Sequence, residues 1–338
     1  MKTPASIYKN KKFHNLNSQQ PAKSKSSFFK NLAILSRYII EKRVGVNPQQ
    51  AIPVEALTPS KLEQLSSSQL HVIKLGHSSL LLKVYGEYWL LDPVFSKRAS
   101  PFPFLGPKRF HPAPIDIEAL PEIDKVLISH DHYDHLDKQA IRALAHKTKQ
   151  FLVPMGIDLR LYEWGVEEEQ VYYFDWWEEL AIDNGFIAYT PAQHFSGRGL
   201  GDGNKTLWGS WVIKAGEHSV FFSGDSGYFS GFKDIGAKYG PFDLTLIETG
   251  AYDKDWPDVH MQPEESLQAH LDVNGKVMMP VHNGTFDLAF HPWYEPLDRI
   301  HRLAQEQQVD LLTPKFGQVI TLGTDNLTSA WWESLKQN

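Results

Sequence analysis

Across 338 residues there is no cysteine, so disulfides, cysteine–zinc knuckles, iron–sulfur clusters and thiol nucleophiles are excluded, and any metal must be held by the 15 histidines and by carboxylates. Apolar residues make up 42% of the chain and aromatics 12%, enough for a substantial buried core. The net charge of −6 is unevenly placed: the first 50 residues carry ten Lys or Arg against the single acid Glu41, and the acidic remainder argues against a nucleic-acid groove.

Residues 1–27 are polar and basic and are expected to be mobile. The next stretch, FFKNLAILSRYII (28–40), places Phe28, Leu32, Leu35 and Ile39 on one helical stripe and Lys30 and Arg37 on another. Such an amphipathic helix either docks on the protein's own body or lies on a membrane surface. Its charges interrupt the apolar run and no small-residue cleavage site follows, so it is not read as a secretion signal. No stretch approaches the ~20 apolar residues that span a bilayer. The expectation is a cytoplasmic chain, at most peripheral on the inner face of a membrane. Residues 1–50 read as a basic, partly disordered extension and residues 51–338 as one domain.

Short apolar runs then follow in quick succession. HVIKL (71–75), SLLLKVY (79–85) and YWLLD (88–92) predict strands, with a tight turn at Gly86-Glu87. KVLIS (125–129), FLVP (151–154), FIAYT (186–190), WGSWVIKA (208–215), SVFFS (219–223), LTLIE (244–248) and KVMMPV (276–281) predict more. Helical periodicity appears at 138–146, 263–273 and 295–307; in the second, Pro263 and the acids Glu264 and Glu265 suit a helix start. Meandering strands that give way to strand–helix alternation predict an α/β protein with more than one sheet.

Several of these strands run into a side chain that can bind metal. KVLIS leads into His130, His132, Asp134 and His135, FIAYT is followed by His194, SVFFS by Asp225, and KVMMPV by His282. Ligands at the carboxyl ends of several strands converge on one rim of a sheet. On a helix His130 and His132 would face apart; on a tight loop after a strand they can meet at one ion. Neutral imidazole and carboxylate suit zinc, and also iron or manganese. Seven donors exceed the needs of one tetrahedral ion and suit a pair of ions.

The His-x-His-x-Asp-His pattern with its downstream His, Asp and His resembles the metallo-β-lactamase superfamily. The resemblance implies an αββα sandwich of two mixed sheets flanked by helices. It implies His130, His132 and His194 on one metal, Asp134, His135 and His282 on a second, and Asp225 bridging them. Asp92 in LLDPVF matches the early aspartate that supports the metal loop, and His77 is expected to take a similar supporting place. The segments LGHSS (75–79), DPVFSKRASP (92–101), GPKRFH (106–111), DWWEE (175–179), LWGSW (207–211), FFSGDSGY (221–228), IETGAY (247–252) and HMQPEE (260–265) are similar to the N-acyl-phosphatidylethanolamine-hydrolysing phospholipase D branch. One departure is VHNGTF (281–286), where a tryptophan beside the histidine would be expected.

That branch implies two zinc ions and a phosphodiesterase reaction. A hydroxide held between the metals would attack phosphorus, releasing phosphatidic acid and N-acylethanolamine. It also implies that Asp134 ligates and orients the nucleophile and that His260 serves as a proton donor near the phosphate or leaving group. Lys108 and Arg109 are candidates for steering an anionic substrate, and Trp176 and Trp177 for lining an apolar path to the metals. Asp131 is read as supporting or solvated and Asp137 as a helix cap. The same site would serve a lactonase or a soluble phosphodiester hydrolase, and a non-enzymatic lipid-binding protein is a third reading. Expected partners are a phospholipid, a membrane surface met by the basic arm, and a twin subunit if an apolar surface is exposed.

Overall fold

The computed structural model describes residues 6–16, 36–37, 40–199 and 201–336. It opens with a hairpin, β1 (Ile7–Lys9) and β2 (Lys12–His14). The expectation of mobility fails here: Phe13 is 4% exposed and belongs to the main core. Strands of three residues are too short to leave a pattern in the sequence. The apolar stripe Phe28, Leu32, Leu35 and Ile39 lies outside the described residues.

The first sheet begins as an antiparallel meander of β3 (Leu70–Lys74), β4 (Leu80–Val84) and β5 (Glu87–Leu91). It continues in parallel through β6 (Ile123–Leu127), β7 (Thr148–Pro154) and β8 (Val171–Phe174). The second sheet repeats the plan. The strands β9 (Glu179–Ile182), β10 (Gly185–Pro191), β11 (Gly209–Ala215) and β12 (His218–Phe222) are antiparallel. The strands β13 (Phe242–Glu248), β14 (Gly275–Val281) and β15 (Asp310–Leu311) then add in parallel. The last strand, β16 (Val319–Thr321), returns to pair with β3 and covers its free edge.

The two sheets stack on a shared core. Leu80, Leu82, Trp89 and Leu91 face Tyr189, Trp211, Ile213 and Phe222, while Leu81 and Leu90 point the other way into a second cluster. That outer cluster is roofed by α2 (Lys138–Leu144) and α3 (Asp158–Glu163), which follow the short α1 (Pro59–Glu63). On the second sheet, α4 (Gly231–Tyr239), α5 (Pro263–Asp272) and α6 (Glu295–Gln307) bury Phe232, Ile235, Leu267 and Ile300. Both faces of each sheet are thus covered, which is why runs such as LLLKV show no alternation. The architecture is the expected four-layer αββα sandwich.

Strand direction decides where the polar residues collect. β3 and β5 both run antiparallel to β4, and β6 runs with β5, so the loops after β3, β5 and β6 leave at one edge. In the second sheet β10 and β12 both oppose β11, and β13 and β14 run with β12, so four more loops leave together.

Candidate active site

The loop after β6 is fixed by bonds from the opposite sheet. The Ser129 carbonyl accepts from the Tyr189 hydroxyl at 2.8 Å and from the Gly209 amide at 3.1 Å, and the Trp211 indole donates to the Ile128 carbonyl at 3.0 Å. Gly224 has φ +56°, and a Cβ there would lie 2.6 Å from the Gly209 carbonyl oxygen and 2.8 Å from Ser129 Cβ. Only glycine lets the Asp225 loop come this close to the His130 loop.

Two donor sets form on this rim. His130, His132, His194 and Asp225 make one, and Asp134, His135, His282 and Asp225 the other; within each set the donor atoms all lie within 4.8 Å of one another. The three nitrogens of the first converge, with His130 Nε2 to His132 Nδ1 at 2.9 Å and His194 Nε2 to His132 Nδ1 at 3.2 Å. Burial holds His130, His132 and His194 below the ordinary imidazole value, so they present lone pairs. His194 Nδ1 faces the Val259 carbonyl at 2.9 Å, which leaves Nε2 as the donor to a metal.

The second set has the opposite balance. Burial alone would lower His135 and His282, yet Asp225 and Asp134 overcome it, raising His135 well above its ordinary value and His282 to about 10. Burial likewise pushes Asp134 and Asp225 up, and the facing histidines hold both far below the carboxylate range. The point between them therefore demands positive charge. A divalent cation would supply it while leaving both imidazoles neutral. His135 Nε2 and Asp225 Oδ1 sit 3.0 Å apart with no hydrogen bond between them, as expected of atoms aimed at a common centre. Both donor sets fit metal ions.

Behind these groups stands Asp92, completely buried. Its Oδ2 faces His135 Nδ1 at 2.7 Å and its Oδ1 accepts from the Ser129 amide at 2.7 Å. Asp92 (φ 41°) and His282 (φ 63°) are both left-handed, a costly backbone for non-glycine residues that persists where surrounding bonds dictate it. His77 is buried 3.5 Å from Asp134, its ring centre lies 3.9 Å from that of His282 at a 50° tilt, and it is pushed down to about 3, mainly by burial. Asp131 is not solvated: it accepts from the Gly197 amide at 2.7 Å and pairs with Arg160 at 3.2 Å. Asp137 caps α2 through the Gln139 amide at 2.9 Å and also accepts from the Phe95 and Ser96 amides.

Four of these candidate donors open on a cavity of about 420 Å³. It is lined by the polar His132, Asp134, Asp225, Asp255, His260 and His282 and by the apolar Phe195, Ala251, Trp256, Val259 and Leu288. His260 Nδ1 is hydrogen-bonded to Glu248, a fully buried carboxylate at the end of β13 that burial pushes up. With Asp225 and His282 these two form a third cluster of donors. Sequence reasoning missed Glu248, although its place as the last residue of LTLIE, at the end of a strand, was a usable signal.

Four expected substrate contacts lie elsewhere. Trp176 is 2% exposed, its indole donating to the Trp208 carbonyl at 2.7 Å, and Trp177 stacks on Tyr239 with ring centres 6.3 Å apart. Both are core residues, because β9 and β10 continue the sheet directly beyond them. Arg109 donates to the Val94 carbonyl at 2.7 Å and braces that turn, while Lys108 lies beside it along a separate depression. Phe195 and Trp256 line the cavity instead. Where tryptophan was expected, Asn283 accepts from Lys74 Nζ at 2.8 Å, and Lys74 also donates to the Pro280 carbonyl at 3.2 Å. This buried lysine, pushed down to about 7 by burial, grips the chain on both sides of His282.

The extension also reaches the site. Asn15 Nδ2 donates to the His194 carbonyl at 2.9 Å, and its Oδ1 accepts from the His194 amide at 3.1 Å. Arg37 bonds to Asp253 at 2.7 Å and to Asp255, and Arg43 to Asp287 at 2.8 Å, tying these two arginines to the loops around the cavity.

Known proteins are similar to this chain in sequence and in fold. The model of the β-lactamase superfamily domain matches residues 88–283. An uncharacterized protein of Mycobacterium tuberculosis is 43% identical over 286 residues, 83% of this chain and 76% of that protein. The N-acyl-phosphatidylethanolamine-hydrolyzing phospholipase D 1 of Caenorhabditis elegans is 34% identical over 76% of this chain and 75% of its own length. Among solved structures, Igni18, a metallo hydrolase of Ignicoccus hospitalis, superposes with a TM-score of 0.58 at 21% identity, covering 76% of this chain and all of that one. With a histidine–aspartate cluster on the shared rim and these relatives, the chain belongs to the β-lactamase superfamily as a metal-dependent hydrolase, akin to the N-acyl-phosphatidylethanolamine-hydrolysing phospholipases D.

Proposed function

We propose that the protein is a dizinc phosphodiesterase of phospholipase D type, converting N-acyl-phosphatidylethanolamine or a related phospholipid to phosphatidic acid and an N-acylethanolamine. The observation that carries this reading is the pair of donor sets sharing Asp225 at a cavity that Phe195, Trp256 and Leu288 also line. His130, His132 and His194 would hold one ion and Asp134, His135 and His282 the other, with Asp225 common to both. Iron or manganese would satisfy the same donors. When bound, such ions acidify water and draw off charge from phosphoryl oxygens.

The chain's own groups supply the rest. Hydrogen-bonded to Glu248 through Nδ1, His260 is held with its ring on the cavity, within reach of a leaving oxygen that needs a proton. Asp134, facing both His282 and the cavity, orients the attacking oxygen. Phe195, Trp256 and Leu288 shed water from acyl or glyceryl carbons. Membrane contact by the basic residues of the extension, and pairing of two subunits, belong to the same reading; vesicle co-sedimentation and solution mass test them. The activity is tested with purified protein of measured metal content, assayed on a panel of phospholipids, cyclic phosphates and lactones. Turnover of lactones or cyclic phosphates alone would replace this reading with a soluble-substrate one.

A further inference from the structure

The loop PFPFLG (101–106) exposes Phe102, Phe104 and Leu105 at 50%, 77% and 61%, three large apolar side chains within four residues. The loop is a closed projection. At its base the backbones of Arg98 and Lys108 form an antiparallel β-bridge, the Ala99 amide donates to the Pro107 carbonyl at 3.1 Å, and the Arg109 amide donates to the Lys97 carbonyl at 3.0 Å. Ala99 roots it in a small cluster with Val94 and Phe286, against which Leu288 of the cavity wall also packs. Among the described residues nothing covers the tip, and a monomer rarely gathers such a patch without a use for it.

The surroundings of the tip are basic. Lys97 and Lys108 are exposed at the stem. Beside the root lies a polar hollow of about 470 Å³ lined by Arg98, Lys138, Arg160 and Arg198, against the carboxylates Asp137 and Asp202. Asp202 is taken by Arg160 at 2.8 Å, and Asp137 by the α2 cap and the 95–96 amides. The local balance is cationic on a chain whose net charge is −6.

We propose that this loop docks the protein on an anionic phospholipid bilayer, Phe102, Phe104 and Leu105 entering the acyl boundary while Lys97 and the arginine-lined hollow meet the phosphates. A twin subunit is the poorer occupant. The three side chains offer on the order of 350 Å² of surface, under half of the ~800 Å² per partner in a stable interface. Apolar insertion flanked by cations is the recognised physics of reversible membrane contact. Bilayer docking extends the phospholipid reading, and binding is measurable without turnover, so the two fail separately.

The test is sedimentation of the full chain with vesicles of phosphatidylcholine containing phosphatidylglycerol, and with phosphatidylcholine alone. The wild type should pellet with the mixed vesicles. The variant F102S/F104S/L105S should bind them about tenfold more weakly or less, with Tm unchanged. K97E should lose several-fold on the mixed vesicles and little on phosphatidylcholine. Equal pelleting of the triple variant, or no pelleting of the wild type, overturns the proposal. So does a triple variant that changes only the mass in solution, since that assigns the loop to a protein interface.

Discussion

Replacing Asn15 with alanine should weaken one donor set without touching a ligand. The change removes the two bonds to the His194 backbone, at 2.9 and 3.1 Å, and one from the Trp208 indole at 2.9 Å. Trp208 keeps a second acceptor in the Ala192 carbonyl at 3.1 Å, so the loss falls mainly on His194. Two bonds at about 1 kcal/mol each, with partial stranding of an amide and a carbonyl, come to about 2–3 kcal/mol. The hairpin itself should stay docked through buried Phe13, the Phe13 amide to the Asn204 carbonyl at 2.8 Å and the Ser6 amide to Asp175 at 3.0 Å. If half or more of the loss reaches an ion held by His194, about 1–3 kcal/mol, its affinity falls roughly five- to 150-fold while the other set is unaffected. Titration of zinc against a chromophoric chelator reads both sets at once. N15D, which keeps the oxygen and loses the donor, should fall between. Two unaltered affinities in N15A, with a lowered Tm, would refute the idea that the hairpin holds the histidine.

Asp134→Asn should abolish turnover while leaving the folded state intact by circular dichroism, since the residue lines the cavity and is not in the core. His194→Ala should lower metal content by one ion per chain, and Asp225→Asn should lower both affinities, read by elemental analysis after dialysis. His260→Ala should cost about 10²–10⁴ in kcat with KM less affected, and Glu248→Gln added to it should cost little more, because the two act in series. Lys74→Met makes a stability prediction. Burial lowers Lys74 from 10.5 to about 7, so between those pH values the unfolded chain binds a proton that the folded one has released. The wild type should therefore gain stability relative to Lys74→Met as pH rises from 7 toward 10.5, seen in urea midpoints; a constant difference would mean the lysine titrates normally.

The strands were legible wherever a run exceeded about four apolar residues. HVIKL, KVLIS and KVMMPV all appear within two residues of their expected bounds. The short hairpin at 7–14 and β8, whose Tyr172 and Tyr173 are exposed, left too little pattern to read. The tryptophan pair at 176–177 misled because the same aromatic side chain serves a core and a ligand path equally well, and only the register of β9 against β10 decides between them.

From the residues alone came the donors themselves, since a metal loop writes its histidines and aspartates into a few consecutive positions after a strand. Stacking of the two sheets decided the rest: that Glu248 backs His260 and that Asn15 meets His194 across 179 residues of chain. Such contacts have no local pattern, because strand direction and layer packing bring together side chains that their neighbours in sequence do not foreshadow.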